Sequence, residues 1–318
     1  MAFEIDTSKP LVSVVMSVFN GAEYLRVAIE SILTQTFTNF EFIIINDGST
    51  DNSEDIVLSF KDSRIKYHLN EQNIGLTKSL NKGIRLSKGN YIARMDADDI
   101  AYPNRFEEQV NYLEKHQQCG VCGTNIKLID AESNLIRYHE YPNENKELKT
   151  RLLIGSIFVH PTVMIRKSTL TDYSIFYNET YSSSQDYDLW VQLAQYCDFS
   201  TIQNTLLDYR IHDNSISISK KESQFKNHRL IQKDYILRQL SAPSNKIERL
   251  LDELLQLVPC TNLYQLGQFK RSLQKELIAT NNFNQLRVQI IIKTLWKEVV
   301  AHYPKQNLKT KLITRFFS

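Results

Sequence analysis

The run Arg94-Met95-Asp96-Ala97-Asp98-Asp99-Ile100 sets three carboxylates within four positions, directly after the short apolar segment Tyr91-Ile92-Ala93. A solvated helix face would mix bases among such acids. A calcium-binding EF-hand loop would alternate carboxylates over about twelve residues, with Gly at the sixth and Glu at the last. Neither pattern is present. A strand that ends in Asp-x-Asp instead concentrates negative charge at the carboxyl edge of a sheet. A divalent cation offsets such charge, and magnesium or manganese there bridges carboxylate oxygens to substrate phosphates. Paired carboxylates on loops are common, so the run gains its meaning from other polar residues placed like it.

Asp47 is one of these. It follows the apolar segment Phe40–Ile45 and heads the turn Asp47-Gly48-Ser49-Thr50-Asp51, where it suits an Asx turn while Thr50 or Asp51 caps the next helix. Asn73 precedes Gly75 and a helix start. In Ser184-Gln185-Asp186-Tyr187-Asp188-Leu189-Trp190, Asp186 and Asp188 both lie in the first turn of a helix, which the macrodipole favours for any acid. His212, in Tyr209-Arg210-Ile211-His212, reads as a loop histidine, and His160 precedes Pro161.

The elements that position these residues alternate. Leu11–Val18, Phe40–Ile45, Arg64–Leu69 and Asn90–Met95 read as strands. Glu23–Thr34, Ser53–Phe60 and the segment holding Leu76, Leu80, Ile84 and Leu86 read as helices. Strand–helix alternation with near-continuous apolar strands predicts an α/β fold with a mainly parallel, doubly wound sheet, whose ligands sit at the carboxyl ends of the strands. Asn20, Asp47 and Asp96 all fall at such ends. After residue 100 the pattern becomes mixed: Arg105–His116 and Gln185–Tyr196 read as helices, Gly120–Asp130 and Phe158–Ile165 as strands. Residues 219–318 hold three prolines and one glycine and read as a helical extension, giving domains 1–218 and 219–318.

Composition bounds the rest. The 318 residues are 42% hydrophobic and 23% charged, ordinary for a globular protein of one or two domains. No apolar run approaches the roughly 18 residues of a membrane span, and the first ten residues lack a signal-peptide pattern, so a cytoplasmic protein is expected. Four cysteines are too few for a disulfide scaffold; Cys119 and Cys122 have redox-motif spacing but lie in an apolar segment and read as buried strand thiols. The net charge of +2 conceals a split: residues 216–318 carry 18 Lys and Arg against 7 Asp and Glu.

Taken in order, Val12-Ser13-Val14-Val15-Met16-Ser17-Val18-Phe19-Asn20, the Asp47–Asp51 turn, Asn73-Ile74-Gly75-Leu76, Asn81-Lys82-Gly83, the acidic run, Gln185–Trp190 and Tyr209–His212 resemble the family 2 inverting glycosyltransferases. The likeness covers about the first two-thirds of the chain and departs at Ser17, where the family usually has proline. It implies a GT-A fold, a nucleotide-sugar donor (a UDP-sugar above all), and a glycan or lipid-linked glycan acceptor in cell-surface polysaccharide synthesis, such as lipopolysaccharide or capsule. It implies Mn2+ or Mg2+ as cofactor. Carried over residue by residue, Phe19 and Asn20 belong to the nucleotide-sugar side. Asp47 accepts from uracil N3, and Asn73 joins the base and ribose pocket. Arg94 balances the acids or touches the nucleotide. Asp96 meets the ribose, Asp98 binds the metal, and Asp99 caps a helix near Pro103 or holds neighbouring groups. Asp186 is the base rather than Asp188, and His212 a metal ligand or diphosphate contact. His160 lines the acceptor pocket or is structural, and Trp190 is an acceptor platform or, more commonly for its type, core.

Two rival functions share much of this pattern: transfer to a polyprenyl phosphate, and a nucleotide-sugar-binding scaffold without catalysis. A dinucleotide oxidoreductase is the weaker reading, since no Gly-x-Gly-x-x-Gly follows the first strand, and no nucleic-acid partner is expected. From Gln285 to Ser318, seven Lys and Arg oppose Glu298 and are interleaved with residues such as Ile291, Trp296 and Phe316. That pattern suits a helix lying on an anionic membrane at the inner face, packing on the catalytic domain, or a homodimer contact.

Overall fold

The computed structural model describes residues 9–213, 215, 221–239 and 245–255, with positions 271 and 275. The amphipathic stretch 285–318 lies outside the described residues.

Strands β1 (Val12–Val18), β2 (Phe40–Asn46), β3 (Ile65–Leu69) and β4 (Tyr91–Met95) run parallel in the order β3-β2-β1-β4. Helices α1 (Ala22–Leu33), α2 (Ser53–Ser59) and α3 (Leu76–Leu86) connect them. Every residue of β2 and β4 is buried, as is all of β1 but Ser17, which is why these segments read as continuous apolar runs rather than alternating ones. The apolar face of α1 supplies Leu25, Ala28, Ile29 and Ile32 to the core beneath. Close contact of α3 with β1 depends on Gly83, where a Cβ would stand 2.5 Å from Val15 Cγ1. The chain passes from β1 outward to β2 and β3, then returns to β4 on the other side of β1. That reversal opens a crevice at the carboxyl ends of β1 and β4, the usual ligand position in such sheets.

Beyond β4 follow β5 (Ile100–Ala101), α4 (Arg105–Lys115), β6 (Cys119–Ile129), β7 (Leu135–His139) and α5 (Asn145–Arg151). Next come β8 (Met164–Arg166), α6 (Lys167–Thr171), α7 (Gln185–Leu193) and β9 (Asp198–Arg210). The sheet continues β4-β8-β6-β9-β5, with β7 paired to β6. Here directions mix: β8 is antiparallel to β4 and β6, β5 to β9 and β7 to β6, while β6 and β9 are parallel. The fold is α/β with a mixed sheet.

The strand expected over Phe158–Ile165 is shorter. Residues His160–Thr162 form a 3-10 turn, and only Met164–Arg166 joins the sheet. Pro161 has no N–H to give a ladder, and the turn is closed by the Thr162 amide on the Val159 carbonyl at 2.9 Å.

Residues 9–149 and 156–224 form one compact unit; 150–155 and the described residues from Phe225 onward form another. The second unit contains most of α8 (Lys221–Arg238) and α9 (Asn245–Leu254). Its buried side chains include Ile231, Tyr235, Ile236 and Leu251, and Gln232 donates to the Leu153 carbonyl at 2.7 Å. No helix among the described residues is long and apolar enough to cross a membrane.

Candidate active site

A cavity of about 550 Å³ opens at the carboxyl edge of β1, β2 and β4, walled by Ser17, Phe19, Asn20, Tyr24, Asp47, Asn73, Gly75, Asp96, Asp98 and His212. Its loops are locked by side-chain-to-backbone bonds. Asn20 adopts a left-handed backbone (φ 51°) and its Oδ1 accepts the Thr50 amide at 2.8 Å. Asp51 accepts the amides of Ala22 and Ser53, each at 3.0 Å, so one carboxylate caps α1 and braces the turn before α2. The buried Asp47 carboxylate takes three donors: Asn70 Nδ2 and the Ile74 amide on Oδ1, and the Gly75 amide on Oδ2 at 2.9 Å. Three of its roughly four acceptor positions are thus occupied within the protein. Gly48 (φ +73°) permits the fit, since a Cβ there would lie 2.7 Å from the Gln72 carbonyl carbon. Phe19 and Asn73 are exposed at the rim.

Asp96, Asp98 and Asp99 each offer an oxygen within 4.8 Å of the others. Asp96 is ion-paired with the buried Arg94 guanidinium. Burial pushes the Asp96 carboxyl up to about 6; Arg94 opposes the rise and Asp98 adds to it. Asp98 Oδ2 lies 2.9 Å from His212 Nε2, so these two sequence candidates meet directly. Asp99 accepts the Arg210 amide on Oδ1 at 2.8 Å, while its buried Oδ2 has no hydrogen-bond partner. Burial, then the charges of Asp98 and Asp96, raise Asp99 well above the ordinary carboxylate range. It holds a neighbouring backbone rather than a helix near Pro103. A pair of hard-oxygen ligands with a third, unsatisfied oxygen beside them fits Mg2+ or Mn2+, and the orphaned Asp99 oxygen is what such an ion would satisfy.

A second cleft of about 320 Å³ shares Leu76 and Asp96 with the first and extends to Asp186, His160, Tyr141, Arg137 and Tyr209. Asp186 sits in the first turn of α7 after Ser184, whose φ of 61° turns the chain into the helix. Its Oδ2 accepts from Ser156 Oγ at 3.1 Å, and burial raises its pKa above the usual value. Asp188 does not line the cleft; its carboxylate accepts from Gln192 Nε2 at 2.7 Å. His160 lines the cleft and shares a 2.6 Å hydrogen bond with the Tyr177 hydroxyl, while burial keeps its imidazole neutral. Trp190 is fully buried, edge-on to Phe158 at 5.5 Å, and lines neither cavity. It is a core residue, and the acceptor-platform reading is withdrawn on that ground.

Several contributors had no role assigned from the sequence, although Asn81 and Arg210 lie within the motifs quoted there. Arg210 donates to the carbonyls of Asp98, Asp130 and Ala131, stacks its guanidinium 4.4 Å from the Tyr24 ring centre, and so ties the acidic turn to the end of β9. Asn81 clamps Tyr177 by two backbone bonds and Thr77 holds the Tyr181 carbonyl, fixing the segment that leads into α7. Their positions on α3 between its apolar residues were the available signal. Arg137 and Tyr141 gave none, because β7 does not alternate.

Compared with known proteins, residues 13–174 match the family model Glycosyl transferase family 2. An uncharacterized glycosyltransferase of Methanocaldococcus jannaschii is 38% identical over 240 residues, 72% of this chain and 81% of that protein. The O-antigen biosynthesis glycosyltransferase WbnJ of Escherichia coli is 35% identical over 214 residues, 64% of this chain and 81% of WbnJ. Among solved structures, S. aureus TarS 1–349 in complex with UDP-GlcNAc superposes with a TM-score of 0.63 at 15% identity, covering 91% of this chain and 90% of that one. The mannosyltransferase PcManGT of Pyrobaculum calidifontis, in complex with GDP-Man and Mn2+, gives 0.56 at 13% identity, covering 97% of this chain and 79% of that one. At these identities the likeness is one of fold.

Proposed function

The chain belongs to glycosyl transferase family 2, and from that premise we propose that it moves a sugar, with inversion, from a UDP-sugar to a glycan or lipid-linked glycan of the cell surface. The observation that carries this reading is the junction at Leu76 and Asp96, where the cavity holding the acidic cluster meets the cleft holding Asp186. A donor held in the first and an acceptor in the second would bring their reacting atoms together there. Asp47, Asn73, Phe19 and Asn20 bound the nucleotide end, with one Asp47 lone pair left for a ring N–H. Asp98, Asp99 and His212 would hold a divalent ion, which when bound supplies charge neutralisation for the departing diphosphate. Asp186 takes the proton of the attacking hydroxyl from the face opposite the leaving group. Ser156 aims its carboxylate, and the raised pKa makes it a stronger base than an exposed aspartate.

The WbnJ likeness supports an acceptor in surface polysaccharide, and the TarS complex supports a UDP-linked donor. PcManGT carries a guanine nucleotide on the same fold, so a GDP-sugar is the second reading. Incubation with UDP- and GDP-sugar panels, with and without Mn2+, tests both: nucleotide release from UDP-sugars only, and only with metal, is expected. Release from GDP-sugars alone would reverse the donor assignment, and full activity in excess EDTA would remove the metal.

A further inference from the structure

One wall of the Asp186 cleft is built from two paired strands. Register sets Leu128 opposite Arg137 and Ile126 opposite His139, so these four side chains share one face of the sheet. All four line the cleft, as does Tyr141, whose ring centre lies 4.4 Å from that of His139. Arg137 is exposed on this face and makes no ion pair among the described residues. The other arginine of the cleft, Arg94, is already paired with Asp96. The neighbours of Arg137 on its strand, Leu135, Ile136 and Tyr138, are 53%, 50% and 61% exposed, an unusual density of large apolar side chains for one short edge strand.

We infer that Arg137, with His139 beside it, is the subsite for an oxyanion carried by the acceptor, which sets the acceptor hydroxyl against Asp186. This rests on the transferase reading above. An unpaired guanidinium at the mouth of a cleft matches a phosphate or carboxylate by its forked donors, and Tyr141 offers a flat face to a sugar ring. Two kinds of acceptor carry such a group: a saccharide on a lipid diphosphate, and a glycan ending in an acidic sugar. The bland alternative is an arginine stem covering Leu128 with its head in water.

With the donor cavity filled by UDP and Mn2+, binding of undecyl diphosphate, undecyl glucuronide and neutral undecyl glucoside is measured by calorimetry below their micelle concentrations. At least one anionic probe should bind about tenfold or more tightly than the glucoside. Arg137→Gln should erase that difference and Arg137→Lys should restore part of it. Preference for the diphosphate marks the lipid-linked source, and preference for the glucuronide the acidic sugar. Equal affinity for all three, no binding of any, or an anion preference that survives Arg137→Gln would overturn the inference. UDP failing to bind at all would instead strike at the donor reading.

Discussion

Replacing Asp186 by Asn removes a proton acceptor while keeping the side chain's shape and its Ser156 contact. Turnover should fall by at least about a hundredfold, the scale of a lost positioned base, with donor KM nearly unchanged. A larger loss in Asp188→Asn would move the base. The pH profile gives an independent check. The base works only when ionised, and burial raises its pKa; activity should therefore rise with pH along a limb lying above the ordinary aspartate value near 4. That limb should vanish in Asp186→Asn. Asp98→Ala acts on the other cavity: it deletes one of three clustered oxygens and the partner of His212. Mn2+-dependent UDP binding, followed by calorimetry, should be lost together with turnover, whereas metal-independent binding at wild-type strength would remove Asp98 from the ligand set. Single residues were legible where their type was unusual for their place, as for the acids closing β4. They were not legible where one amide or guanidinium held distant backbone, as Asn81 and Arg210 do, because the partners lie about 80–110 residues away in sequence.

Among the elements, the parallel block from β1 to β4 could be read almost residue by residue, since β1, β2 and β4 are buried on both faces and carry mostly apolar or small side chains. β8 was overextended because Val159, Val163 and Ile165 suit a strand while Pro161 forbids its ladder. Most of β9 went unread: Gln203, Asn204 and Thr205 interrupt the apolar pattern there, and its partner β6 supplies the missing stability through a long parallel pairing. The contact of α3 with β1 yields a prediction of opposing terms. Gly83→Ala gains about 1 kcal/mol of helix propensity, but the new methyl meets Val15, a stiff β-branched residue in a buried strand, at 2.5 Å. Overpacking costs about 1–3 kcal/mol, so the variant should unfold at lower temperature than the parent. A raised melting temperature would mean that α3 shifts freely on the sheet.

For the molecule as a whole, the basic bias of residues 216–318 suits an anionic surface, with each Lys or Arg near such lipid contributing about 1 kcal/mol. The full chain should float with anionic vesicles at low salt and release them at high salt. Lys305→Glu with Lys309→Glu and Lys311→Glu should abolish flotation; unchanged flotation would assign those bases elsewhere. The path of the chain through the site has a further consequence, in time. Arg210 stands 111 positions after Asp99, and His212 114 after Asp98. At about 5–20 residues per second of synthesis, the acidic turn emerges roughly 6–20 seconds before the groups that hold it exist. In that interval three neighbouring carboxylates repel one another, with Arg94 and Arg105 nearby to balance them. Strands β1 to β4 all precede β9 in synthesis, so the residues of the parallel sheet emerge before those that complete the acidic cluster.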